Sequence, residues 1–295
     1  MTALAQAIRS ATLNWRALVE LAKPRLSALV LFTALVGYAA GASGSIDVAC
    51  MIHVLLGTAL VAAGANAFNQ VIERDLDGLM ERTKTRPLPT QRVSTAEATR
   101  FAVLVSAAGL LELLFGVNLL TAFLGAVALT AYVLLYTPLK RITVHNTLVG
   151  ALVGALPPLM GWTAARGALE PGGWALAAIL FVWQLPHFFA ISWIYRADYR
   201  RGGYRMLGAV DESGALTRLQ VAILALLLIP VSLMPTVVGV AGRTYFHVAL
   251  VLGVAYWLTC LWPPRFNQDT CARRSFIASI IYLPTLLAFL LIDKL

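Results

Sequence analysis

Long apolar segments, separated by short polar connections, run along almost the entire chain. Each holds enough mostly apolar residues for an α-helix to cross a bilayer, which takes about 20. Leu, Ala and Gly are common in them, and apolar residues do not alternate with polar ones, so the pattern favours helices over barrel strands. The predicted all-α fold is a polytopic membrane protein with nine transmembrane helices, at 25–43, 49–72, 98–116, 118–137, 143–163, 173–195, 217–239, 244–262 and 276–292.

The composition agrees with this class of protein. Of the 295 residues, 59% are hydrophobic and 13% are charged, whereas soluble domains have roughly 45–50% apolar and 25% charged residues. The net charge of +9 is carried by short loops between apolar segments, where an anionic lipid surface attracts basic side chains. The lipid bilayer is therefore the expected partner of this charge, and nucleic-acid binding is not expected.

The distribution of Lys and Arg predicts the orientation in the membrane. With a cytoplasmic N-terminus, all of the 23 lysines and arginines except Arg166, Arg243 and Lys294 lie on the cytoplasmic side. That bias follows the positive-inside rule. We expect a cytoplasmic, interfacial N-terminal segment over 1–24 and a single transmembrane domain over 25–295. The compact ends favour a bacterial inner (plasma) membrane over an organelle.

The first cluster of chemically competent residues lies at the cytoplasmic end of the second predicted helix. Asn69, Glu73 and Asp77 are spaced by four residues, and because a helix turns about 100° per residue, they share one face. One amide and two carboxylates suit Mg²⁺, which completes its shell with waters and substrate phosphates. The alternative is a solvated loop with ordinary charge pairs, but like charges four residues apart repel, which favours a cation between Glu73 and Asp77.

Basic residues follow this acidic cluster. Arg82, Lys84 and Arg86 come directly downstream, and Lys140 and Arg141 end the fourth predicted helix. Arginine contacts phosphate in a planar, bidentate manner, so the downstream residues are candidate phosphate ligands. Lys140 and Arg141 are candidates of the same kind, with anchoring to lipid headgroups as the alternative.

A second cluster spans the end of the sixth predicted helix. Asp198 lies just beyond that helix, between Arg196 and Arg200, and His187 lies about three turns earlier, inside the helix. An ionisable residue inside a membrane helix is costly unless it pairs, lines a cavity or takes part in chemistry. An interhelical hydrogen bond is an equally good explanation for His187.

These motifs resemble the UbiA superfamily of intramembrane prenyltransferases, over about residues 20–290. The superfamily pattern NDxxDxxxD followed by RxxxRP resembles Asn69-Gln-Val-Ile-Glu73-Arg-Asp-Leu-Asp77 and Arg82-Thr-Lys-Thr-Arg86-Pro87. Glutamate at the middle position is similar to the haem-modifying branch. So are the segments TRPLP, YTPLKR, GALPPLMGW and WQLPHFFAISWIYRADYRRGGYRML. One departure is Ile194, which occupies the earlier position of a second acidic pair that the quinone-type members carry and of which Asp198 matches the later one.

The resemblance implies a UbiA-type helical bundle and an Mg²⁺-dependent prenyltransferase. The implied reaction joins the farnesyl group of farnesyl diphosphate to a vinyl group of protohaem IX, adds water, and gives haem O and diphosphate. The implied metal ligands and catalytic residues are Asn69, Glu73, Asp77 and Asp198. The implied diphosphate ligands are Arg82, Lys84, Arg86, Lys140 and Arg141. His187 is assigned to catalysis on the acceptor side, and the implied haem-binding residues are His187, Arg196 and Arg200.

Other functions are compatible with part of the pattern. A UbiA-type enzyme acting on an aromatic or quinone precursor would share the acidic cluster but would not need His187. A polytopic transporter is compatible with prolines inside the predicted helices, although transporters bind near the bilayer midplane and the carboxylates here lie at one membrane face. A haem-binding chaperone would not need Mg²⁺. If protohaem is the acceptor, as the resemblance implies, a downstream partner such as haem A synthase or a terminal oxidase assembly pathway is expected.

Overall fold

The computed structural model describes residues 14–263 and 265–295, which form helices and no strand. A short helix lies in the predicted interfacial segment, of which residues 1–13 fall outside the described part. The helices are α1 (Trp15–Leu21), α2 (Pro24–Gly41), α3 (Val48–Asp77), α4 (Thr95–Gly116), α5 (Leu119–Leu139), α6 (Asn146–Arg166), α7 (Pro171–Ile194), α8 (Arg196–Arg201), α9 (Leu207–Val210), α10 (Ala215–Val237), α11 (Arg243–Cys260) and α12 (Gln268–Ile292).

A long helix occupies each of the nine predicted membrane-spanning positions in the described chain. Eight of them are long and apolar enough to cross a bilayer, so the protein is a multi-pass membrane protein. The exception is α11, whose first turns carry Arg243 and His247 and dilute its apolar character. Large apolar side chains such as Leu104, Phe115 and Val237 are mostly exposed, as expected for surfaces that face lipid.

Helix α7 lies at the centre of the bundle. It packs against α2, α6, α10 and α12, and a larger share of its residues is buried than in the other apolar spans. Around it, α3 pairs with α4, α2 packs along α6, and α10, α11 and α12 pack in sequence. Residues on all sides of α7 are therefore shielded from lipid, and its polar side chains must find partners inside the protein.

Two spans depart from regular α-helix. In α5, residues Ala131–Tyr136 form a π-helical turn, and the Thr137 hydroxyl donates to the Tyr132 carbonyl at 2.8 Å. In α6, the helix is interrupted at Ala155, just before Pro157 and Pro158, because proline cannot donate the backbone hydrogen bond of a continuing helix. Helix α7 continues unbroken through Pro186.

Loops at one end of the bundle fold back over the helix ends. We call this the basic end; it comprises α1, the segment 78–94, the segment 140–145 and α8–α9. The Arg205 amide donates to the Lys140 carbonyl at 2.7 Å, and the Asn146 side chain donates to the Arg205 carbonyl at 3.2 Å. These bonds join the end of α5 and the start of α6 to the segment between α8 and α9.

The contact between α2 and α6 depends on glycine. A Cβ atom at Gly161 would overlap the backbone of Ala34 and Tyr38, and one at Gly37 would overlap the Pro158 carbonyl. Small residues allow membrane helices to approach this closely.

Replacing Gly161 by alanine should therefore destabilise the bundle, by about 1–3 kcal/mol, because the backbones must separate. Thermal unfolding in detergent measures the change. Gly78→Ala is the control, since its Cβ would meet only the Asp75 carbonyl, at 3.5 Å. Equal melting temperatures for the two variants would contradict the close-packing argument.

Candidate active site

The last three turns of α3 bury one polar face at the basic end. Asn69, Glu73 and Asp77 are 1%, 5% and 1% exposed, and all three line a cavity of about 150 Å³. Asp75, on the opposite side of the helix, has 84% of its side chain exposed and pairs with its neighbour Arg74. The four-residue spacing therefore separates buried carboxylates from a solvent-exposed one.

Each of the three buried acceptors has a cationic partner from a different part of the chain. The Lys140 ammonium lies 2.8 Å from Glu73 Oε1. Arg86 donates through Nη1 to both oxygens of Asp77, at 2.8 and 2.7 Å. The third partner is Lys23, immediately before α2, which donates to Asn69 Oδ1 at 3.1 Å. A buried carboxylate needs such a partner, because an unpaired buried charge is strongly unfavourable.

The cavity carries an excess of positive charge. Its lining includes four cationic side chains and two carboxylates: Lys23, Arg82, Arg86 and Lys140 against Glu73 and Asp77. Burial, together with the charges of Arg86 and Lys140, lowers the pKa of Lys23 to about 7. A site that lowers the pKa of an ammonium in this way favours an anionic ligand, whose charge would offset the excess.

An aromatic wall forms the other side of the cavity. It consists of Tyr132, Tyr136, Tyr199 and Tyr204. The π-helical turn places the first two rings 5.3 Å apart. Cation–π contacts join this wall to the cationic side chains. The Lys140 ammonium lies 4.6 Å from the Tyr136 ring centroid, and the Arg82 guanidinium lies 4.6 Å from the Tyr199 ring centroid.

Sequence reasoning missed Lys23 and these tyrosines as site residues. A usable signal for Lys23 was its position directly before Pro24, at the cytoplasmic start of the first span. The tyrosines carried a weaker signal, because aromatic residues near helix ends are usually interface anchors.

Several predicted residues lie outside the cavity lining. Asp198 is paired with Arg201 and accepts from the Glu81 amide at 3.3 Å; the hydrogen bond from Arg201 lowers the pKa of Asp198. Lys84 pairs with Glu81 on the surface, and Arg141 is exposed beside Lys140. In the described part of the chain, no three His, Cys, Asp or Glu side chains gather closely enough to hold a metal, so Asp198 does not join Glu73 and Asp77.

The residues predicted to bind or act on the acceptor substrate lie elsewhere, in α7 and in α8 directly after it. His187 Nδ1 lies 2.7 Å from the Ser279 hydroxyl of α12, and the imidazole stacks on Trp183 with ring centroids 4.9 Å apart. Arg196 pairs with Asp269 at 2.9 Å, and Arg200 donates through Nε to the Ala209 carbonyl at 2.6 Å. The structure thus separates these three from the cavity lined by the acidic cluster.

The donor atoms of the cavity fit a magnesium ion. Asn69 Oδ1 and the carboxylates of Glu73 and Asp77 are oxygen ligands of the kind that Mg²⁺ prefers. All three converge on one small polar space, in which the Tyr204 hydroxyl is buried without a hydrogen-bond partner among the described residues. Binding would require Lys23, Arg86 and Lys140 to leave these oxygens, and an anionic ligand would give them new partners.

Comparison with known proteins defines the class. Residues 30–281 match the model of the UbiA prenyltransferase family, and the chain belongs to this family. Among its relatives, the chain is similar to a protein named protoheme IX farnesyltransferase from Solibacter usitatus, with 42% identity over 285 residues, covering 94% of this chain and 98% of that one.

The fold is shared with solved UbiA-type structures. One, from work on digeranylgeranylglyceryl phosphate synthase, superimposes with a TM-score of 0.80 at 15% identity, covering 95% of this chain and 98% of that one. Another is a UbiA homologue from Archaeoglobus fulgidus bound to DMAPP and Mg²⁺, with a TM-score of 0.67 at 17% identity, covering 92% of this chain and 98% of that one. The predicted UbiA-type bundle is confirmed.

Lys140→Met should destabilise the protein by about 3–5 kcal/mol, because it leaves the Glu73 carboxylate buried without a counter-charge. Adding Glu73→Gln should restore most of the loss. Thermal unfolding of both single variants and the double variant in detergent gives the coupling free energy.

The exposed pair of Lys84 and Glu81 provides the matched control for this cycle. Both side chains are more than half exposed, so Lys84→Met should cost less than about 1 kcal/mol. Similar losses for Lys140→Met and Lys84→Met would show that the buried pair does not have the stabilising role inferred here.

Proposed function

We propose that this protein transfers the farnesyl group of farnesyl diphosphate to a vinyl group of protohaem IX, with addition of water, to give haem O and diphosphate. The observation that carries the proposal is the cavity at the basic end, where the acidic face of α3 meets four cationic side chains. The chain is also 42% identical, over 94% of its length, to a protein named protoheme IX farnesyltransferase. The cavity suits a diphosphate with its metal, and the similarity points to protohaem as the acceptor.

Asn69, Glu73 and Asp77 would hold Mg²⁺. When bound, the ion supplies positive charge that offsets the charge developing on the leaving diphosphate. In this proposal Lys140 and Arg86 turn from the carboxylates to diphosphate oxygens, with Lys23 and Arg82 as further donors. Asp198, implied as a metal ligand, would join the site only after release from Arg201.

Two of the predicted diphosphate ligands would act from outside the cavity. Lys84 and Arg141 lie outside the cavity lining and would attract the diphosphate towards the basic end. Salt largely screens exposed charges that are more than about 10 Å apart, so these two side chains would help to capture the diphosphate as it approaches and would not act in the chemical step. Donors held in place inside the cavity stabilise the transition state more, since they need no rearrangement as charge develops on the leaving group.

The reaction balances without a redox partner. The bond between farnesyl C1 and the diphosphate oxygen breaks, and a bond from C1 to the vinyl group forms. Water then adds to the other vinyl carbon and releases one proton. The aromatic wall of tyrosines would exclude water from the farnesyl cation before the vinyl group reacts.

His187 is the residue proposed for the acceptor side. One imidazole nitrogen is engaged by Ser279, which fixes the ring, and the other is left to meet the haem iron, the attacking water or its proton. Arg196 and Arg200 would meet the haem propionates at the end of α7. Their contacts with Asp269 and the Ala209 carbonyl would then have to be exchanged for propionate oxygens.

The proposed location is a bacterial inner membrane with the basic end in the cytoplasm. The positive-inside bias supports this orientation. Farnesyl diphosphate would then reach the cavity from the cytoplasmic side. The product would pass to a protein that consumes haem O, such as haem A synthase or a terminal oxidase assembly pathway.

Purified protein given protohaem, farnesyl diphosphate and Mg²⁺ should form a haem heavier by one farnesyl group and one water, detected by mass spectrometry. Glu73→Ala and Asp77→Ala should each lower the rate on the order of 100-fold or more, because charge stabilisation of the leaving group is lost. Removal of Mg²⁺ should abolish product.

Asp75→Ala is the matched control, since it deletes a carboxylate from the same helix but from its exposed face. It should retain near-normal activity. Prenylation of an aromatic acceptor with no change in haem mass would leave the metal site in place but refute protohaem as substrate.

His187→Ala should lower haem farnesylation by at least about 10-fold, the lower part of the range for loss of a proton-transfer group, and leave the affinity for farnesyl diphosphate unchanged. Rates at varied concentrations of each substrate separate the two effects. His247→Ala, at the opposite end of the bundle, should be neutral. An active His187→Ala variant would remove this residue from the acceptor site.

A further inference from the structure

Three tyrosine hydroxyls are buried without a hydrogen-bond partner among the described residues: those of Tyr204, Tyr256 and Tyr282. The last two rings pack on each other with centroids 5.2 Å apart, between α11 and α12. Of the three, Tyr204 lines the cavity of the candidate active site. A buried hydroxyl without a partner costs free energy, so an unpaired one that faces a polar cavity points to a ligand.

The position of the Tyr204 ring is well defined by its surroundings. Tyr204 is 4% exposed and packs with Met80 and Met206. Its ring meets that of Tyr199 edge-on, with centroids 6.0 Å apart. The preceding Gly203 has a positive φ of 70°, and the Tyr204 amide donates to the Tyr199 carbonyl at 2.9 Å. The hydroxyl is therefore held in place before any ligand binds.

The chemistry of the cavity indicates what this hydroxyl would bind. The Glu73 carboxylate also lines the cavity, but it accepts from Lys140 through Oε1 and would turn to the metal ion in the loaded site. The lining has more cations than carboxylates, which favours a ligand with several anionic oxygens. A neutral phenol adds a donor for such a ligand without adding another buried charge, which would have to be desolvated.

We propose that the Tyr204 hydroxyl donates a hydrogen bond to a diphosphate oxygen of the prenyl substrate and stabilises the diphosphate as it leaves. This inference rests on the proposed function, because it requires a diphosphate in the cavity. The leaving oxygens gain negative charge as the carbon–oxygen bond breaks, so a preorganised donor stabilises the transition state more than the bound substrate. Tyr204 is then a catalytic residue that the acidic and basic motifs do not include.

The test compares Tyr204→Phe with Tyr256→Phe in the purified full-length protein. Both variants remove one buried, unpartnered hydroxyl and keep the ring, but only the first alters the cavity lining. The probe is inorganic diphosphate with Mg²⁺, and the readouts are the ligand-dependent rise in melting temperature and turnover of farnesyl diphosphate.

Without ligand, neither variant should melt below the wild type, because no intramolecular hydrogen bond is lost. With Mg²⁺ and diphosphate, Tyr204→Phe should bind roughly 10- to 100-fold more weakly, as expected for loss of a hydrogen bond to a charged group. Its kcat should fall as well, whereas Tyr256→Phe should match the wild type in both measurements.

The outcomes distinguish this inference from the proposed function. If the wild type does not respond to Mg²⁺ and diphosphate, the diphosphate site itself is refuted. If the wild type and Tyr204→Phe respond and turn over equally, Tyr204 has no role and the proposed function stands. A lower melting temperature of Tyr204→Phe without ligand, compared with Tyr256→Phe, would show an intramolecular role for the hydroxyl and overturn the inference.

Discussion

The pairing of two buried carboxylates with cations from distant segments is the interaction on which this structure depends. Glu73 and Asp77 lie at the end of a membrane helix, where an unpaired charge would be strongly unfavourable. Lys140 from the end of α5 and Arg86 from the loop after α3 meet them at 2.8 and 2.7 Å. These pairs hold together the loops that cover the basic end, so the geometry of the site and the order of those loops have the same physical origin.

The same charges suit chemistry on an anionic substrate. In the described structure Asn69, Glu73 and Asp77 each have one cationic neighbour. Arg82 adds a further cation against the aromatic wall. A divalent cation with a prenyl diphosphate keeps a small net negative charge, which suits the cationic excess, so the pair can enter between the carboxylates and the cations and give both groups new partners. The internal ion pairs thus keep the cavity polar and its donors in position while no ligand is bound.

The division between a polar cavity and a central apolar helix also follows from the fold. Helix α7 packs against four spans, and His187 is held against Ser279 and Trp183 within that packing. The bundle superimposes on a UbiA-type structure with only 15% identity. Apolar helix packing of this kind tolerates extensive substitution when volume and pattern are kept, so very different sequences can form the same bundle.

The sequence by itself determined the helical class and the common face of Asn69, Glu73 and Asp77, because both follow from local periodicity. It did not determine which cations meet that face. Arg86 and Lys84 are two residues apart and looked equivalent, yet one pairs with Asp77 and the other with exposed Glu81. Lys23 and Tyr204 reach the cavity from segments more than 40 residues away on either side. Only tertiary packing, which sets loop paths and burial, decides such contacts.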